Sequence, residues 1–267
     1  MVKQSHIFNN FNIPKKFKNS IILIGNFDGL HLGHQKLFQL AQSYKKKYNL
    51  KIGVVNFDPM PKMFFNKKLK NFRLSNIDQK IKLLSNLKVD FVITKKFDKK
   101  FSKTKALNFI IQILYKKLNS KFIFVSNNFR FGNKRDGDVK LLINYEKLFN
   151  YKVVKPEPLI RSRKIVSSSL IRNLLEKGFL DKANNLLNRS WTIQGIVEKG
   201  RQLGKKIGFP TCNIDIQDYV LARPGVYAVK VLRKNSNKYL KGIANLGYRP
   251  TFNQKKILLE VHLFNFS

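Results

Sequence analysis

Apolar runs of strand length alternate with helical patterns from residue 21 to about residue 126, and this alternation is what most limits the possible folds. It is typical of βαβ units, which build a parallel sheet. The predicted elements are strands over 21–27, 51–57, 89–94 and 121–126 and helices over 34–47, 76–87 and 105–118. We therefore expect an α/β fold in this part of the chain.

The pattern changes after about residue 187. A helical stretch interrupted by a glycine, "SSLIRNLLEKGFLDKANNLL", comes just before the change. From Trp191 onward, short alternating runs are separated by glycine, proline and asparagine at close spacing, which favours a small antiparallel barrel or sandwich. At 267 residues, the chain is long enough for two domains. We predict them over residues 1–187 and 188–267.

Composition indicates the cellular setting. No apolar run reaches the length that a membrane helix needs, and the first residues lack the charged start and apolar core of a secretory signal. Cys212 is the one cysteine, so an internal disulfide framework is excluded. We expect a cytoplasmic protein that makes no membrane contact.

The net charge of +38 has two interpretations. Lysine and arginine could neutralise phosphates of a nucleic acid. However, the 42 lysines accompany abundant asparagine, isoleucine and phenylalanine along the whole chain, as in proteins from AT-rich genomes. We favour compositional drift and predict no specific nucleic-acid partner, although the charge can help anionic substrates to approach.

His31 and His34 are two of only four histidines, and they lie three residues apart in "GNFDGLHLGHQKLF". The segment follows the first predicted strand, and ligands bind at the carboxyl ends of parallel strands. At the first turn of a helix, free N–H groups and the positive end of the dipole suit a phosphate. A metal site would need further ligands, for which Asp28 is a weak candidate. Simple capping of the helix is the third interpretation, and the local residues leave all three open.

Further motifs follow the histidine segment along the chain. They are "FDPMP" at 57–61, "NNFRFGNKRDGD" at 127–138 and "VSSSLIR" at 166–172. Together the four motifs resemble the adenylyltransferase module of the bacterial bifunctional riboflavin kinase and FMN adenylyltransferases, also called FAD synthetases.

The second half of the chain is similar to the riboflavin kinase module of the same family. The motifs are "GKKIGFPTCNI" at 204–214, "RPGVYAV" at 223–229, "GIANLGYRPTF" at 242–252 and "LEVHLFNF" at 259–266. The resemblance covers nearly the whole chain. It implies a Rossmann-like nucleotidyltransferase domain with a parallel sheet, followed by a small, incomplete antiparallel β-barrel riboflavin kinase domain.

For the first module, the resemblance implies attack of an FMN phosphate oxygen on the α-phosphorus of ATP, which gives FAD and pyrophosphate. His31 and His34 would be catalytic by stabilising charge, and neither need act as a base. The resemblance assigns ATP and phosphate binding to Gly25, Asn26, Phe27, Asp28, Gly33, Ser168, Ser169 and Arg172. It assigns the flavin and nucleotide pocket to Asp58, Pro59, Asn128, Phe129, Arg130 and Phe131.

For the second module, the resemblance implies phosphorylation of riboflavin by ATP to give FMN. Thr211 and Asn213 are two apart in a predicted strand, so their side chains share a face, and they would hold Mg²⁺ against the ATP phosphates. Glu260 would be catalytic, taking the proton of the riboflavin 5′-hydroxyl. The remaining kinase-site residues implied by the resemblance are Gly204, Lys205, Gly208 and Pro210.

The sequence ends at Ser267, directly after the motif that contains Glu260, whereas members of the family continue further. A barrel without its last strands exposes unpaired edge groups, so we expect an impaired kinase and an unaffected adenylyltransferase. One alternative is an enzyme that only makes FAD and keeps the kinase module as a remnant. The other is a basic nucleic-acid-binding protein on the same scaffold. The oligomeric state is not predicted.

Overall fold

A six-stranded, wholly parallel sheet dominates the first half of the chain. The computed structural model describes residues 4–198, 209–216, 218–234, 236–251 and 254–265. In spatial order, the strands are β1 (His6–Phe8), β4 (Phe91–Lys96), β3 (Ile52–Asp58), β2 (Ile21–Ile24), β5 (Phe122–Phe124) and β8 (Lys152–Val154).

The helices of the chain are unequal in length. They are α1 (Leu32–Tyr48), α2 (Pro61–Phe65), α3 (Ile77–Asn86), α4 (Lys99–Ser102), α5 (Ala106–Asn108), α6 (Val139–Asn144), α7 (Glu146–Phe149), α8 (Ser168–Glu176) and α9 (Leu180–Leu187). Helix α5 continues as a π-helix over Phe109–Lys117. Single 3-10 turns occur at Lys15–Phe17 and Asn133–Arg135.

The parallel sheet is buried on both faces. In β2, Ile21 and Leu23 belong to one core cluster, which includes residues of α1 and α3. Ile22 and Ile24 belong to the other cluster, which includes residues of the π-helix and α6. Because successive side chains of a strand point to opposite faces, a strand covered on both sides must be apolar throughout. This explains the unbroken "IILI" of β2.

An antiparallel sheet dominates the second half. Its strands, in spatial order, are β11 (Val197–Glu198), β12 (Cys212–Asp215), β15 (Gln254–Leu263), β14 (Tyr239–Thr251) and β13 (Gly225–Leu232). Ala244, Leu246 and Val261 are buried on one face of it. Two small antiparallel pairs lie elsewhere, β6 (Arg130–Phe131) with β7 (Gly137–Asp138) and β9 (Ile160–Arg161) with β10 (Lys164–Ile165).

The chain divides into two compact units. The first contains Met1–Leu69, Ile77–Leu170 and Leu186–Asn188, and the second contains Lys70–Asn76, Ile171–Asn185 and Arg189–Ser267. The α/β class with a parallel sheet followed by an antiparallel β domain is confirmed. The domain limits at residues 187 and 188 stay a prediction.

Two predicted elements differ from the structure in detail. The first strand ends at Ile24 rather than Phe27, because Phe27 and Leu30 adopt positive φ angles that no strand allows. Of the predicted run that starts at Trp191, the described part forms a strand only at Val197–Glu198.

Candidate active site

Three of the predicted site segments follow adjacent strands of the parallel sheet. The histidine segment follows β2, Asp58 and Pro59 stand at the end of β3, and the segment with Asn128 follows β5. Since carboxyl ends of parallel strands meet at one edge, all three segments lie there. The chain order also reverses between β2 and β5, where ligands bind in open α/β sheets.

The loop after β2 has a constrained backbone. Phe27, Gly29 and Leu30 have φ angles of 46°, 77° and 38°. A side chain in the left-handed region is strained, and strain of this kind persists where the surroundings hold it. Phe27 and Leu30 are both buried in the core. Their burial therefore fixes the path of the chain from β2 to α1, while Gly25 and Asn26 remain half-buried.

His31 is the N-cap of α1. Its Nδ1 accepts a hydrogen bond from the His34 backbone N–H at 3.4 Å, and its side chain is buried. The two imidazole rings stack with centroids 3.7 Å apart and an angle of 21° between their planes. The edge of Phe27 also contacts His34, at 5.3 Å between centroids. The pair is thus held by the helix cap on one side and by the core on the other.

The surroundings of His34 favour its neutral form. Burial lowers its pKa well below the usual histidine value, and electrostatic interactions with His31 and with Lys80 lower the pKa further. Its Nδ1 is buried and has no hydrogen-bond partner among the described residues. The remaining ring nitrogen, Nε2, is therefore the one that can donate to a ligand.

The metal interpretation of the histidine pair finds no support. Over the described ranges, no group of three or more histidine, cysteine, aspartate or glutamate side chains could hold a metal ion. In addition, Nδ1 of His31 already accepts the capping hydrogen bond. A phosphate at the first turn of α1 agrees better with this geometry.

Gly33 allows the start of α1 to lie close to both the His31 ring and the backbone at Val166. A Cβ at this position would lie 3.1 Å from the Val166 carbonyl oxygen and 3.2 Å from the His31 ring. The segment before α8 thus packs directly against the histidine loop. Ser168 adds a hydrogen bond from its Oγ to the Asp28 carbonyl oxygen, at 2.8 Å. Ser169, on the first turn of α8, is exposed.

Phe129 and Phe131, two of the residues predicted to bind the flavin, form a stacked aromatic pair after β5. Phe129 and Phe131 stack at 5.4 Å with 15° between their planes, and Phe131 is buried against Phe109. Arg130 pairs with Asp138 at 3.3 Å. Asp58 and Pro59 stand at the end of β3, which β2 separates from β5 in the sheet.

Asn128 and Arg172 make contacts that the sequence patterns did not predict. Asn128 Oδ1 accepts a hydrogen bond from Ser126 Oγ at 2.9 Å. Arg172 belongs to the second unit, where its Nε donates to the Phe72 carbonyl oxygen at 2.6 Å and its guanidinium lies over the Phe72 ring. These contacts account for the burial of Arg172.

Sequence analysis missed two buried polar residues, one on helix α3 and one on strand β3. Lys80 lies one turn before Leu84 in the buried stripe of α3, and its charge acts on His34. Asn56 interrupts the apolar strand β3, and its Nδ2 donates to Thr94 Oγ1 at 3.3 Å. Both residues could have been identified from the sequence, because each places a charged or amide side chain at a position where the pattern requires an apolar one.

The predicted kinase residues meet on the antiparallel sheet. Asn213 on β12 is directly opposite Glu260 on β15, and Glu260 is in turn opposite Asn245 on β14. Opposite residues share a face, so the Glu260 carboxyl lies between two carboxamides. Asn213 is buried, while Thr211, which precedes β12, is exposed. Gly204, Lys205 and Gly208 lie outside the described residues.

Comparison with known proteins identifies relatives for both halves. The family model of FAD synthetase matches residues 13–170, and that of riboflavin kinase matches residues 187–267. A bifunctional riboflavin kinase/FMN adenylyltransferase of Buchnera aphidicola subsp. Schizaphis graminum is 41% identical, over 96% of this chain and 83% of that protein. The protein of the same name from Escherichia coli K12 is 37% identical, over 92% of this chain and 78% of its own.

A solved structure shares the fold along almost the entire chain. It is described as the crystal structure of a macrolide-efflux protein from Streptococcus pneumoniae, and it superposes with a TM-score of 0.84 at 26% identity. The match covers 99% of this chain and 86% of the pneumococcal one. In the described part of the present chain, every helix is too short or too polar to cross a membrane.

Proposed function

Since the chain belongs to the family of bifunctional riboflavin kinase/FMN adenylyltransferases, we propose that it converts riboflavin to FMN and FMN to FAD, both with ATP. We assign FAD synthesis to residues 1–187 and the kinase to residues 188–267. Because ATP and flavins are cytoplasmic metabolites, we place the activity in the cytoplasm.

One observation carries the adenylyltransferase assignment. The stacked pair of His31 and His34 stands at the amino end of α1, at the carboxyl edge of β2, with Val166 and Ser168 packed against the same loop. Two helices, α1 and α8, thus begin beside one loop. Their free N–H groups favour a polyphosphate between them.

In adenylyl transfer, a phosphate oxygen of FMN forms a bond to the α-phosphorus of ATP, and the bond to the bridging oxygen of pyrophosphate breaks. The nucleophile is already an anion, so alignment and charge stabilisation supply the catalysis. We assign to His34 the donation of its Nε2–H to a phosphate oxygen as a neutral imidazole. His31 and the amides of α1 would complete this cradle, and Phe129 and Phe131 would offer the flavin ring a stacking surface.

In the kinase step, the nucleophile is a neutral hydroxyl. Glu260 would take the proton of the riboflavin 5′-hydroxyl. At the same time, the hydroxyl oxygen would form a bond to the γ-phosphorus of ATP, and the bond from that phosphorus to the bridging oxygen would break to release ADP. The cross-strand position of Glu260 between Asn213 and Asn245 supports this role, because both amides can orient its carboxylate.

The residues next to Glu260 fit a magnesium ion. Oδ1 of Asn213 is buried and has no hydrogen-bond partner within the described residues, so its lone pairs are available to a hard cation. The exposed hydroxyl of Thr211, two residues earlier, is a second oxygen ligand. When bound there, Mg²⁺ would neutralise charge on the ATP phosphates.

Substitutions of His31 test the first activity against mere helix capping. His31→Asn keeps a good N-cap but removes the imidazole, whereas His31→Ala removes both. We expect FAD formation from FMN to fall roughly 100-fold or more in both variants. Only His31→Ala should lose about 1 kcal/mol of unfolding free energy. Product chromatography and urea unfolding measure the two effects, and full activity in His31→Asn would leave capping as the sole role.

Glu260→Gln tests the second activity. We expect FMN formation from riboflavin to fall roughly 100-fold or more, because the amide cannot accept the proton. FAD formation from added FMN should stay unchanged in the same preparation and serves as the internal control. If the unaltered protein forms no FMN from riboflavin, the alternative of FAD synthesis with a remnant kinase module is correct.

A further inference from the structure

We infer that His262 is a positioning residue of the kinase site, because it holds the chain at Pro210 and thereby keeps Thr211 beside Asn213 and Glu260. The inference rests on the proposed kinase function. His262 lies two residues after Glu260 in the same motif, and the functions proposed so far leave it without a role.

The backbone ladder between β12 and β15 does not reach Thr211. Pairing between β12 and β15 ends with Cys212 opposite Val261. If the same register continued, Thr211 would be opposite His262 and Pro210 would be opposite Leu263. Proline has no N–H, so it cannot continue a ladder by donating a hydrogen bond. The chain before Cys212 therefore needs another attachment to β15.

His262 provides that attachment through its side chain. Its Nδ1 lies 2.9 Å from the Pro210 carbonyl oxygen. Because a carbonyl oxygen only accepts, the proton of this hydrogen bond must be on Nδ1. The imidazole is also held by two aromatic edges, Phe209 at 5.6 Å and Phe264 at 5.9 Å between centroids.

The hydrogen bond from His262 to Pro210 lies on the face of the sheet that carries Glu260 and Asn213. Along β15, Val261 is buried in the core, so Glu260 and His262 point to the opposite face. Asn213 shares that face because it is opposite Glu260. Thr211 lies between the clamped carbonyl of Pro210 and the start of β12. A shift of Pro210 would thus move the Thr211 hydroxyl relative to Asn213.

A matched pair of amide substitutions tests this role. The side-chain NH₂ of asparagine can replace Nδ1 of histidine, whereas that of glutamine replaces Nε2. We expect His262→Asn to keep FMN formation within about threefold, and His262→Gln and His262→Ala to lose roughly 10-fold or more. The loss should be partly reversed at high Mg²⁺. FAD formation from FMN should be unchanged in all three variants.

Two measurements do not depend on turnover. In the unaltered protein, ¹⁵N NMR of the imidazoles should show the His262 proton on Nδ1. Binding of Mn²⁺ with ADP, followed by electron paramagnetic resonance without riboflavin, should weaken in His262→Gln and His262→Ala but not in His262→Asn.

The outcomes separate this inference from the proposed function. A proton on Nε2, or equal behaviour of His262→Asn and His262→Gln, would overturn the positioning role. Absence of FMN formation in the unaltered protein would instead overturn the kinase assignment. In that case the tautomer and the Mn²⁺ binding still decide whether His262 positions Thr211.

Discussion

The two imidazoles at the start of α1 differ in what holds them, although they stack on each other. His31 uses Nδ1 to accept a hydrogen bond from the helix backbone. His34 has a buried Nδ1 without a partner among the described residues, and it contacts the edge of Phe27. His31 therefore caps the helix, while Nε2 of His34 is the nitrogen that we propose donates to a phosphate.

Protonation of His34 should destabilise the fold. Burial, followed by electrostatic interactions with His31 and Lys80, holds its pKa well below the usual value near 6.5. Below that pH, the unfolded chain binds a proton that the folded protein does not, so stability falls as pH falls. We expect this histidine to cost at most about 1.4 kcal/mol per pH unit there.

Urea unfolding between pH 7.5 and pH 5.5 measures this effect. Removal of the imidazole in His34→Gln should make the unfolding free energy less dependent on pH over that range, since the substituted side chain does not titrate. Parallel pH profiles for the unaltered protein and the variant would contradict the lowered pKa.

Two consecutive serines hold the start of α8. Ser167 Oγ accepts a hydrogen bond from the Leu170 N–H at 3.2 Å and caps the helix. Ser168 Oγ donates to the Asp28 carbonyl oxygen and ties α8 to the histidine loop. The same motif thus serves one helix locally and joins two parts of the site.

Alanine substitutions separate these two tasks. Ser167→Ala and Ser168→Ala should each lower the unfolding free energy by about 1 kcal/mol. Only Ser168→Ala should also reduce FAD formation, by roughly 10-fold, because α8 and the histidine loop are no longer tied together. Thermal unfolding and product chromatography compare the variants. Equal losses of activity would show that the tie to Asp28 has no catalytic importance.

Over the whole molecule, the charge of +38 favours anionic substrates. FMN carries a phosphate and riboflavin does not, so the two flavins provide a matched pair for electrostatic steering. We expect kcat/KM for FMN to fall several-fold between roughly 50 and 300 mM salt. At saturating ATP, the value for riboflavin should change much less. Equal salt dependence would contradict steering by the net charge.

The same charge provides the test for a nucleic-acid partner. Binding of tRNA or duplex DNA at physiological salt should not exceed that of a simple polycation, because the lysines are spread along the chain. Tight, sequence-dependent binding would support the nucleic-acid alternative.

The sequence by itself determined the class of fold and the family to which the chain belongs. Alternating strand and helix patterns predicted the parallel sheet because βαβ units bury strands on both faces, as β2 shows. The histidine segment was placed correctly at the carboxyl end of a strand. Asn213 and Glu260 were both predicted for the kinase site, but only the strand register shows that they are directly opposite each other.

Only the tertiary structure decided which groups meet. The stack of His31 on His34, the tie from Ser168 to Asp28 and the clamp of His262 on Pro210 join residues through turns and strand register. Local patterns carry no information on such contacts, because they depend on how distant segments pack. The position of Lys80 in an apolar stripe was visible in the sequence, but its effect on His34 was not, since that effect arises only when α3 and α1 cover one face of the sheet.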